Sequence, residues 1–446
     1  MKSLKPLTVL LTPWFLQAAL TTPLSAQTSS TWDIAGRLDA SWRYRSENGS
    51  SQSDSQALLS GYMDATAKDK DQSEIFRFHL EGFVNHDLNG LENSGDSFYG
   101  LPDTRNHATR AFLYGAYVEA PVMSKDLMVR IGRQEIHKEN ALYFDGARVE
   151  FRPLNSLSGV AYAGIPVRFY ESSRSGDLLL GAGLKWRIER NLSLGYDQMF
   201  FRDHNPPADP SITARNDLSI LSANWNRDQH TMLRGSASWL DGEPRRAELS
   251  VFLNYPERGW WTKLHIRRQN DYGEVVSTDL SPFAVTLSDV APYWSGGLEF
   301  HRNLTDDVDL GVGYQGRQVI EDEDIGVFNR EYSRWFGTLT GQNVIRADVE
   351  AGVRADLWYS DDADIVAGGA FAAYEPYRGE RFEVGTEFSM YRFDVFTGRE
   401  YLDDRQIYGR MRYPISESTA LRLRIARDKS QFGTDLLLQV AFTLEF

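Results

Sequence analysis

The sequence contains no cysteine among its 446 residues. It can therefore form no disulfide framework and supplies no thiolate for a zinc ion, an iron–sulfur cluster or a covalently attached haem. Beyond residue 26 it also lacks a continuous apolar stretch of the roughly 20 residues that a membrane-spanning helix needs. These absences exclude a disulfide-rich secreted fold and a helical membrane protein, and they predict no bound cofactor.

Positive charge is also scarce. Lysine and arginine number 48 against 62 acidic residues, which gives a formal net charge of -14. Loss of Lys2 and Lys5 with the N-terminal segment would change this from -14 to -16. Such an acidic chain is not expected to bind nucleic acid.

Recognisable catalytic motifs are missing as well. The sequence has no Gly-x-Ser-x-Gly elbow, no His-Glu-x-x-His motif and no phosphate-binding loop. Its eight histidines are scattered along the chain. We therefore predict no enzymatic activity and no metal site, although a pair formed by Ser333 and a distant histidine remains an open alternative.

The first 26 residues have the composition of a secretory signal peptide. Lys2 and Lys5 precede an apolar run over residues 7–20, and residues 23–26 lead to a cleavage site after Ala26. The apolar run is too short and too interrupted for a spanning helix. We expect residues 1–26 to be removed and residues 27–446 to form one domain.

Every second residue is apolar at the C-terminal end, where Phe446, Leu444, Phe442 and Val440 alternate with more polar residues. This period of two predicts a strand with two different faces. A terminal Phe after such a pattern resembles the last strand of bacterial outer-membrane barrels, in which it is the signal for the barrel assembly machinery. The alternative is an edge strand of a soluble β-sandwich.

The same alternation recurs along the mature chain, and short connections alternate with long ones. The polar segment 86–107 is predicted to be an outer loop that folds into the pore. A weak strand signal at 56–67 must be real if the strand count is to be even. The pattern predicts an all-β transmembrane, antiparallel up-and-down β-barrel in the bacterial outer membrane, with about 22 strands in a range of 16 to 22.

Arginines on the predicted inward face are the most informative polar residues. Arg410 and Arg412 on one strand and Arg422 and Arg424 on the next would form a basic ladder on one lumenal wall. The whole predicted pore-lining set is Arg37, Arg43, Arg77, Arg130, Arg267, Arg346, Arg410, Arg412, Arg422 and Arg424. These arginines either select an anionic solute or only pair with acids across strands.

The segment 127–134, which contains Gly132, Arg133 and Gln134, is followed by Asp145-Gly-Ala-Arg148. It resembles the alginate-export family of outer-membrane barrels, which carry a similar strand ending in Gly-Arg-Gln and then a loop. The resemblance implies passive export of an anionic polysaccharide through an arginine-lined pore.

Two functions are therefore expected. The first is a porin-like channel for passive passage of a polar solute, an anionic solute or an exopolysaccharide. The alternative is a barrel that sheathes a multihaem cytochrome in a trans-membrane electron conduit. Expected partners are outer-membrane lipid and lipopolysaccharide, the barrel assembly machinery, which would recognise Phe442, Leu444 and Phe446, and periplasmic polysaccharide-export components or a cytochrome.

Overall fold

We describe the protein from a computed structural model. The structure describes residues 31–48, 52–69, 71, 73–90, 92, 98, 107–122, 124–137, 141–167, 176–204, 213–270, 292–321, 330–360, 364–376, 379–394, 399–431 and 433–446. The predicted signal peptide, residues 1–26, lies outside this part of the chain.

Strands make up nearly all of the described chain. The first eleven are β1 Thr31–Asn48, β2 Ser53–Lys68, β3 Glu74–Asp87, β4 Thr109–Val122, β5 Ser124–His137, β6 Ala141–Leu154, β7 Leu157–Pro166, β8 Leu178–Arg187, β9 Leu192–His204, β10 Thr213–Asn226 and β11 Thr231–Leu240. The others are β12 Glu243–Tyr255, β13 Trp260–Gln269, β14 Tyr293–Thr305, β15 Val308–Val319, β16 Tyr332–Gly341, β17 Val349–Ser360, β18 Ile365–Tyr374, β19 Arg381–Asp394, β20 Arg399–Ser416, β21 Thr419–Lys429 and β22 Thr434–Glu445. One 3₁₀ turn, Pro256–Arg258, separates β12 from β13.

These 22 strands confirm the predicted all-β barrel, and β2 confirms the weak strand signal at 56–67. Within the described residues, no helix is long and apolar enough to cross a membrane. Each strand pairs antiparallel with its neighbours in sequence, which is the up-and-down topology that alternating hairpins produce.

The first and last strands close the barrel. β1 pairs antiparallel with β22 from Arg37 opposite Glu445 to Asn48 opposite Thr434. The backbones of Gly36 and Phe446 extend this ladder, with N···O distances of 2.8 and 3.0 Å. Closure satisfies the edge hydrogen bonds that an open sheet would leave exposed.

Gly36 makes room for the terminal aromatic ring at this seam. A Cβ atom at Gly36 would lie 2.6 Å from Cζ of Phe446 and 2.8 Å from the carbonyl oxygen of Tyr62. Any larger residue would therefore push against both the ring and the backbone of β2. Phe446, a residue of the predicted assembly signal, therefore follows the last strand directly and also contacts the first strand.

The two faces of the sheet differ in burial, and this difference identifies the interior. Phe144, Phe201 and Leu218 are almost completely covered, and they lie on the face that carries the ladder arginines. Large exposed apolar residues such as Ile407 and Val384 lie on the opposite face. Because the concave side of a closed sheet is the crowded one, the arginine face is the lumen.

The short turns and both ends of the described chain lie at the same rim of the barrel. Turns at 306–307 and 417–418 lie there, whereas longer connections such as 270–292 leave the other rim. In outer-membrane barrels short turns face the periplasm and longer loops face outward. In one of the short turns, the Asp228 carboxylate accepts backbone N–H bonds from His230 and Thr231, which hold its pKa below the ordinary value.

Another short turn changes the expected position of Arg346. The pattern predicts a strand from residue 344, but β17 begins at Val349. Asn343 and Asp348 have positive φ angles of 56° and 72°, and these left-handed residues place the segment between them in a turn. Arg346 consequently lies outside the strands, with its guanidinium 4.5 Å from the ring centre of Tyr374.

Candidate functional site

The strand register determines which way each arginine points. It puts all the arginines predicted to line the pore except Arg346 on the lumenal face. These are Arg37, Arg43, Arg77, Arg130, Arg267, Arg410, Arg412, Arg422 and Arg424. Their surroundings differ, and only some of them present a guanidinium group without a partner.

The basic ladder spans three adjacent strands. Arg381 on β19 lies opposite Arg412 on β20, which lies opposite Arg422 on β21. In the next row towards the outer rim, Arg410 lies opposite Arg424. Neighbouring strands are about 4.8 Å apart, so these guanidinium groups form one patch near the periplasmic rim.

Two of the four ladder arginines have side-chain partners, and the other two, Arg412 and Arg422, form no ion pair within the described residues. Arg410 contacts Glu383 at 3.3 Å, and Arg424 donates to the amide oxygen of Gln406 at 3.1 Å. Arg412 and Arg422 have exposed side chains and no side-chain hydrogen bond or ion pair within the described residues. They are the part of the ladder that is available to a passing anion.

Asp39, which interacts electrostatically with Arg422, is already occupied. It accepts a hydrogen bond from Arg37 Nε at 2.6 Å and another from the Thr443 hydroxyl at 2.5 Å. Because Arg37 on the same strand and Thr443 across the seam hold the carboxylate, it only partly offsets the Arg422 charge.

Arg381, which the sequence did not single out as a pore-lining residue, anchors the edge of the ladder. Its guanidinium contacts Glu350 at 2.7 Å and Glu383 at 3.0 Å, and it also contacts Glu375. These acids come from three separate places, namely β17, β19 and the turn between β18 and β19. Glu375 and Glu383 are close to Arg381 in sequence, whereas Glu350 is 31 residues away and reaches it only through the packing of the strands.

The remaining predicted arginines are paired. Arg130 donates to Glu119 at 2.8 and 2.5 Å and lies over the ring of Tyr117. The other pairs are Arg37 with Asp39, Arg43 with Gln56, Arg77 with Glu74, and Arg267 with Glu248. The pairs of Arg130, Arg43 and Arg267 join neighbouring strands, as the cross-strand interpretation of the sequence predicts, whereas Arg37 and Arg77 pair within their own strands.

A second wall of the lumen is apolar, and this feature was missed from the sequence. Its buried cluster comprises Ile136, Leu142, Phe144, Tyr162, Leu179, Met199, Phe201, Leu218, Ile220 and Leu240, from β5 to β11. Phe144 and Leu179 have no exposed surface at all. Atoms of the chain itself therefore cover this wall and fill part of the lumen. The only signal was that apolar residues occupy both alternating faces of these strands.

Below this cluster, the lumenal wall contains a polar niche of about 240 Å³. Arg148, Arg152 and Lys185 line it together with Asp197 and serine hydroxyl groups. Gly183 keeps the niche open, because a Cβ atom there would lie in contact with the Asp197 carboxylate. Glu150 also lines the niche and forms an ion pair with Arg148 at 2.6 Å, so three cations and two acids leave the niche a net charge of +1 on a part of the wall far from the ladder.

Phe98, in the predicted outer loop 86–107, lies inside the barrel. Phe98 is buried, with its ring centre 4.8 Å from the guanidinium carbon of lumenal Arg45. Arg45 also forms an ion pair with Asp54 at 2.6 Å. A loop residue thus lies inside the barrel against the charged wall, as the length and polarity of the loop predict.

The Gly-Arg-Gln motif lies within a strand, not at its end. β5 continues three residues past Gln134 to His137 and stays paired with β6. Gly132 has a φ angle of 127°, and a Cβ atom there would lie 2.2 Å from the carbonyl oxygen of Ala116. This is a close backbone approach that only glycine permits.

The two polar residues of the motif point to opposite sides of the wall. Arg133 is on the outer face, where its Nε and Nη2 atoms both lie 2.7 Å from the carboxylate of Asp145. Gln134 is fully buried on the lumenal face, where its amide contacts the carbonyl oxygens of Gly132 and Gly146 at 3.4 and 3.3 Å. In this chain the side chains of the motif connect neighbouring strands of the barrel wall, and they present no exposed polar group to the lumen.

The outer face carries a continuous apolar belt. Large apolar residues on successive strands, such as Leu184, Leu298 and Val353, remain about half exposed on it. A closed barrel leaves no backbone group unpaired, so an apolar exterior can lie in hydrocarbon without penalty. The protein is an outer-membrane β-barrel. Its lumen therefore extends from one side of that membrane to the other, along the charged wall.

No protein-family model and no curated protein matches this chain. Several solved barrels are similar to this chain over most of their length. OccAB1 of Acinetobacter baumannii is 10% identical, with 93% of this chain and 96% of that chain covered and a TM-score of 0.41. OccK2 (OpdF) of Pseudomonas aeruginosa is 12% identical, with 93% and 98% covered and a TM-score of 0.44. The translocation pore of the P pilus usher PapC is 10% identical, with 93% and 99% covered and a TM-score of 0.49. Such low identities indicate a common architecture only.

Ser333, the open enzymatic alternative, faces outward on β16. Its hydroxyl lies 3.3 Å from that of Tyr314, and no described histidine forms a hydrogen bond with it. The described residues also contain no cluster of three or more histidine, aspartate or glutamate side chains that could hold a metal ion.

Proposed function

We propose that the protein is a porin-like channel for the passive passage of small polar solutes, with a preference for anions. The proposal rests on the difference between the two sides of the lumen. The basic ladder on one side is exposed to water, and it faces the space that the covered apolar wall on the other side leaves open. Diffusing anions would meet Arg412 and Arg422 near the periplasmic rim and the cationic niche on another part of the wall.

The packing inside the barrel favours a channel over a cytochrome sheath. A sheath needs a wide, empty lumen, because a folded cytochrome domain must fit inside it. Here Phe144, Leu179 and Phe201 are covered by the chain, and Phe98 packs against a lumenal arginine. These contacts reduce the free cross-section and suit a solute smaller than a protein.

Export of an exopolysaccharide is the finer form of this proposal. It is supported by the position of the cationic residues, because a charged polymer would contact the ladder and the niche in succession. Many of the other lumenal arginines are already paired with acids, so the ladder and the niche would have to supply most of the counter-charge.

Charge reversal on the ladder tests the proposal. In the double variant Arg412→Glu and Arg422→Glu, an ion passing within about 4 Å of either position experiences a change of about 1 kcal/mol or more, and the anion-to-cation permeability ratio should fall about fivefold or more. The ratio is measured from the reversal potential of the purified protein in a planar bilayer under a salt gradient.

Arg302→Glu is the matched control. Arg302 is exposed on the outer face of β14 near the periplasmic rim, so its replacement by glutamate should leave the reversal potential unchanged. A protein that inserts without conducting would contradict the channel. A conducting double variant with wild-type selectivity would instead contradict the role of the ladder.

A further inference from the structure

The outer wall carries a groove that the transport function does not use. It crosses β18 to β22 and has a volume of about 770 Å³. Its floor is made of the small residues Ala370, Ala372 and Gly409, and Ile407 and Ile425 rise beside it. The volume lies within the range of about 300–1,000 Å³ that is usual for small-molecule sites.

The groove is apolar because of the strand register. One exterior row runs from Ala372 through Val384 and Gly409 to Ile425. Since Gly409 has no side chain, a trough is left between Val384 and Ile425, which are 64% and 54% exposed. An alkyl chain lying in this trough would contact methyl groups on both sides.

Cations lie at the outer end of the groove. Arg427 is in the exterior row between Ile407 and Leu436, and it lines the groove itself. One row further out, Lys429 lies directly opposite Arg405. All three side chains are exposed, and within the described residues Arg427 and Lys429 have no hydrogen bond or ion pair of their side chains.

An arginine on the lipid face is costly at mid-membrane and tolerated near the interface, where it can meet headgroups. Arg427 follows Leu421, Leu423 and Ile425 on the outer face of β21, so it lies just beyond the apolar belt. This rim is the one from which the longer connections leave, and it therefore faces the outer leaflet.

We propose that this groove binds lipid A of lipopolysaccharide, with an acyl chain in the trough and a phosphate on Arg427 and Lys429. Lipid A is the occupant that combines the two chemistries of the site, because it carries several alkyl chains next to phosphate groups. The charge complementarity of the cations favours it over an uncharged lipid, and the trough favours it over a phosphate without alkyl chains.

Binding of purified bisphosphorylated lipid A to the detergent-solubilised mature protein, followed by native mass spectrometry, tests the proposal. The variant Arg427→Gln with Lys429→Gln should bind roughly tenfold more weakly. Ala372→Phe should also weaken binding by filling the trough while leaving the charges in place. Arg302→Gln, an exterior cation at the other rim, should bind as the wild type does.

Competing ligands distinguish the sources of phosphate. Lipid A without its phosphates should bind the wild type about as weakly as the intact lipid binds the double variant. Inorganic phosphate that displaces lipid A at equal concentration would overturn the lipid site, and so would phosphatidylglycerol that binds equally tightly. Wild-type affinity in the double variant would also overturn it. The reversal potential in a bilayer is independent of this site, so a failure here leaves the channel proposal intact.

Discussion

The two sides of the lumen are held together by different interactions. Strands β5 to β11 contribute a packed apolar cluster, whereas β17 to β22 and β1 contribute arginines and carboxylates that remain partly exposed. Apolar packing is insensitive to the charge of a solute, and exposed guanidinium groups attract anions. One side therefore narrows the passage and stabilises the fold, and the other gives the passage its selectivity.

This comparison predicts that the largest effect on stability comes from the apolar side. Phe144→Ala should lower the free energy of unfolding by about 4 kcal/mol, because it removes a fully covered ring and leaves a cavity. Thermal unfolding of the purified barrel measures the change. Met199→Leu, which keeps the volume in the same cluster, should cost less than about 1.5 kcal/mol. Equal stability of the two variants would contradict a packed wall.

A smaller effect is expected at the ion pair of Arg130 and Glu119, whose side chains are only 20% and 11% exposed. Glu119→Gln leaves the guanidinium partly buried with a weaker acceptor, so it should cost about 2 kcal/mol.

Asp33→Asn is the control for this pair. Asp33 is 65% exposed and pairs with Lys68 at 2.9 Å, so its loss should change the free energy of unfolding by less than about 1 kcal/mol. If Asp33→Asn cost as much stability as Glu119→Gln, burial would not explain the difference expected between the two ion pairs.

The smallest effect on stability is expected on the ladder itself. Arg422→Gln removes an exposed side chain without an ion pair, so the free energy of unfolding should change by no more than about 0.5 kcal/mol. The reversal potential should still shift in the direction of cation selectivity, but by less than it does in the double charge-reversal variant. A loss of more than about 2 kcal/mol would assign Arg422 a structural role instead.

Local alternation was sufficient to predict most of the fold. In a barrel one side of each strand meets hydrocarbon and the other meets the lumen, so the period of two survives averaging along the chain. It identified β2 despite its weak apolar face, because an odd strand count could not bring both chain ends to one rim. It also placed nine of the ten chosen arginines on the lumenal face.

The pattern was wrong where a turn imitates a strand. Ile345 and Ala347 continue the apolar alternation that Val349 begins in β17, but Asn343 and Asp348 adopt left-handed conformations and the backbone reverses. The Asn343 amide donates to the carboxylate of Asp307 in the neighbouring turn at 2.8 Å, which holds the loop in place. Such tertiary bonds cannot be read from periodicity, and for this reason Arg346 was placed wrongly in a strand.

By itself, the sequence determined the class of fold, an even strand count of about 22 in a range of 16 to 22, and the direction in which most side chains point, because these follow from local alternation and from parity. Only the tertiary structure decided which charges compensate one another and which remain free. Glu350, Glu375 and Glu383 converge on Arg381 and leave Arg412 and Arg422 without acids of their own. The reason is that strand register brings together residues from distant parts of the chain, and the contacts of a lumen depend on that register.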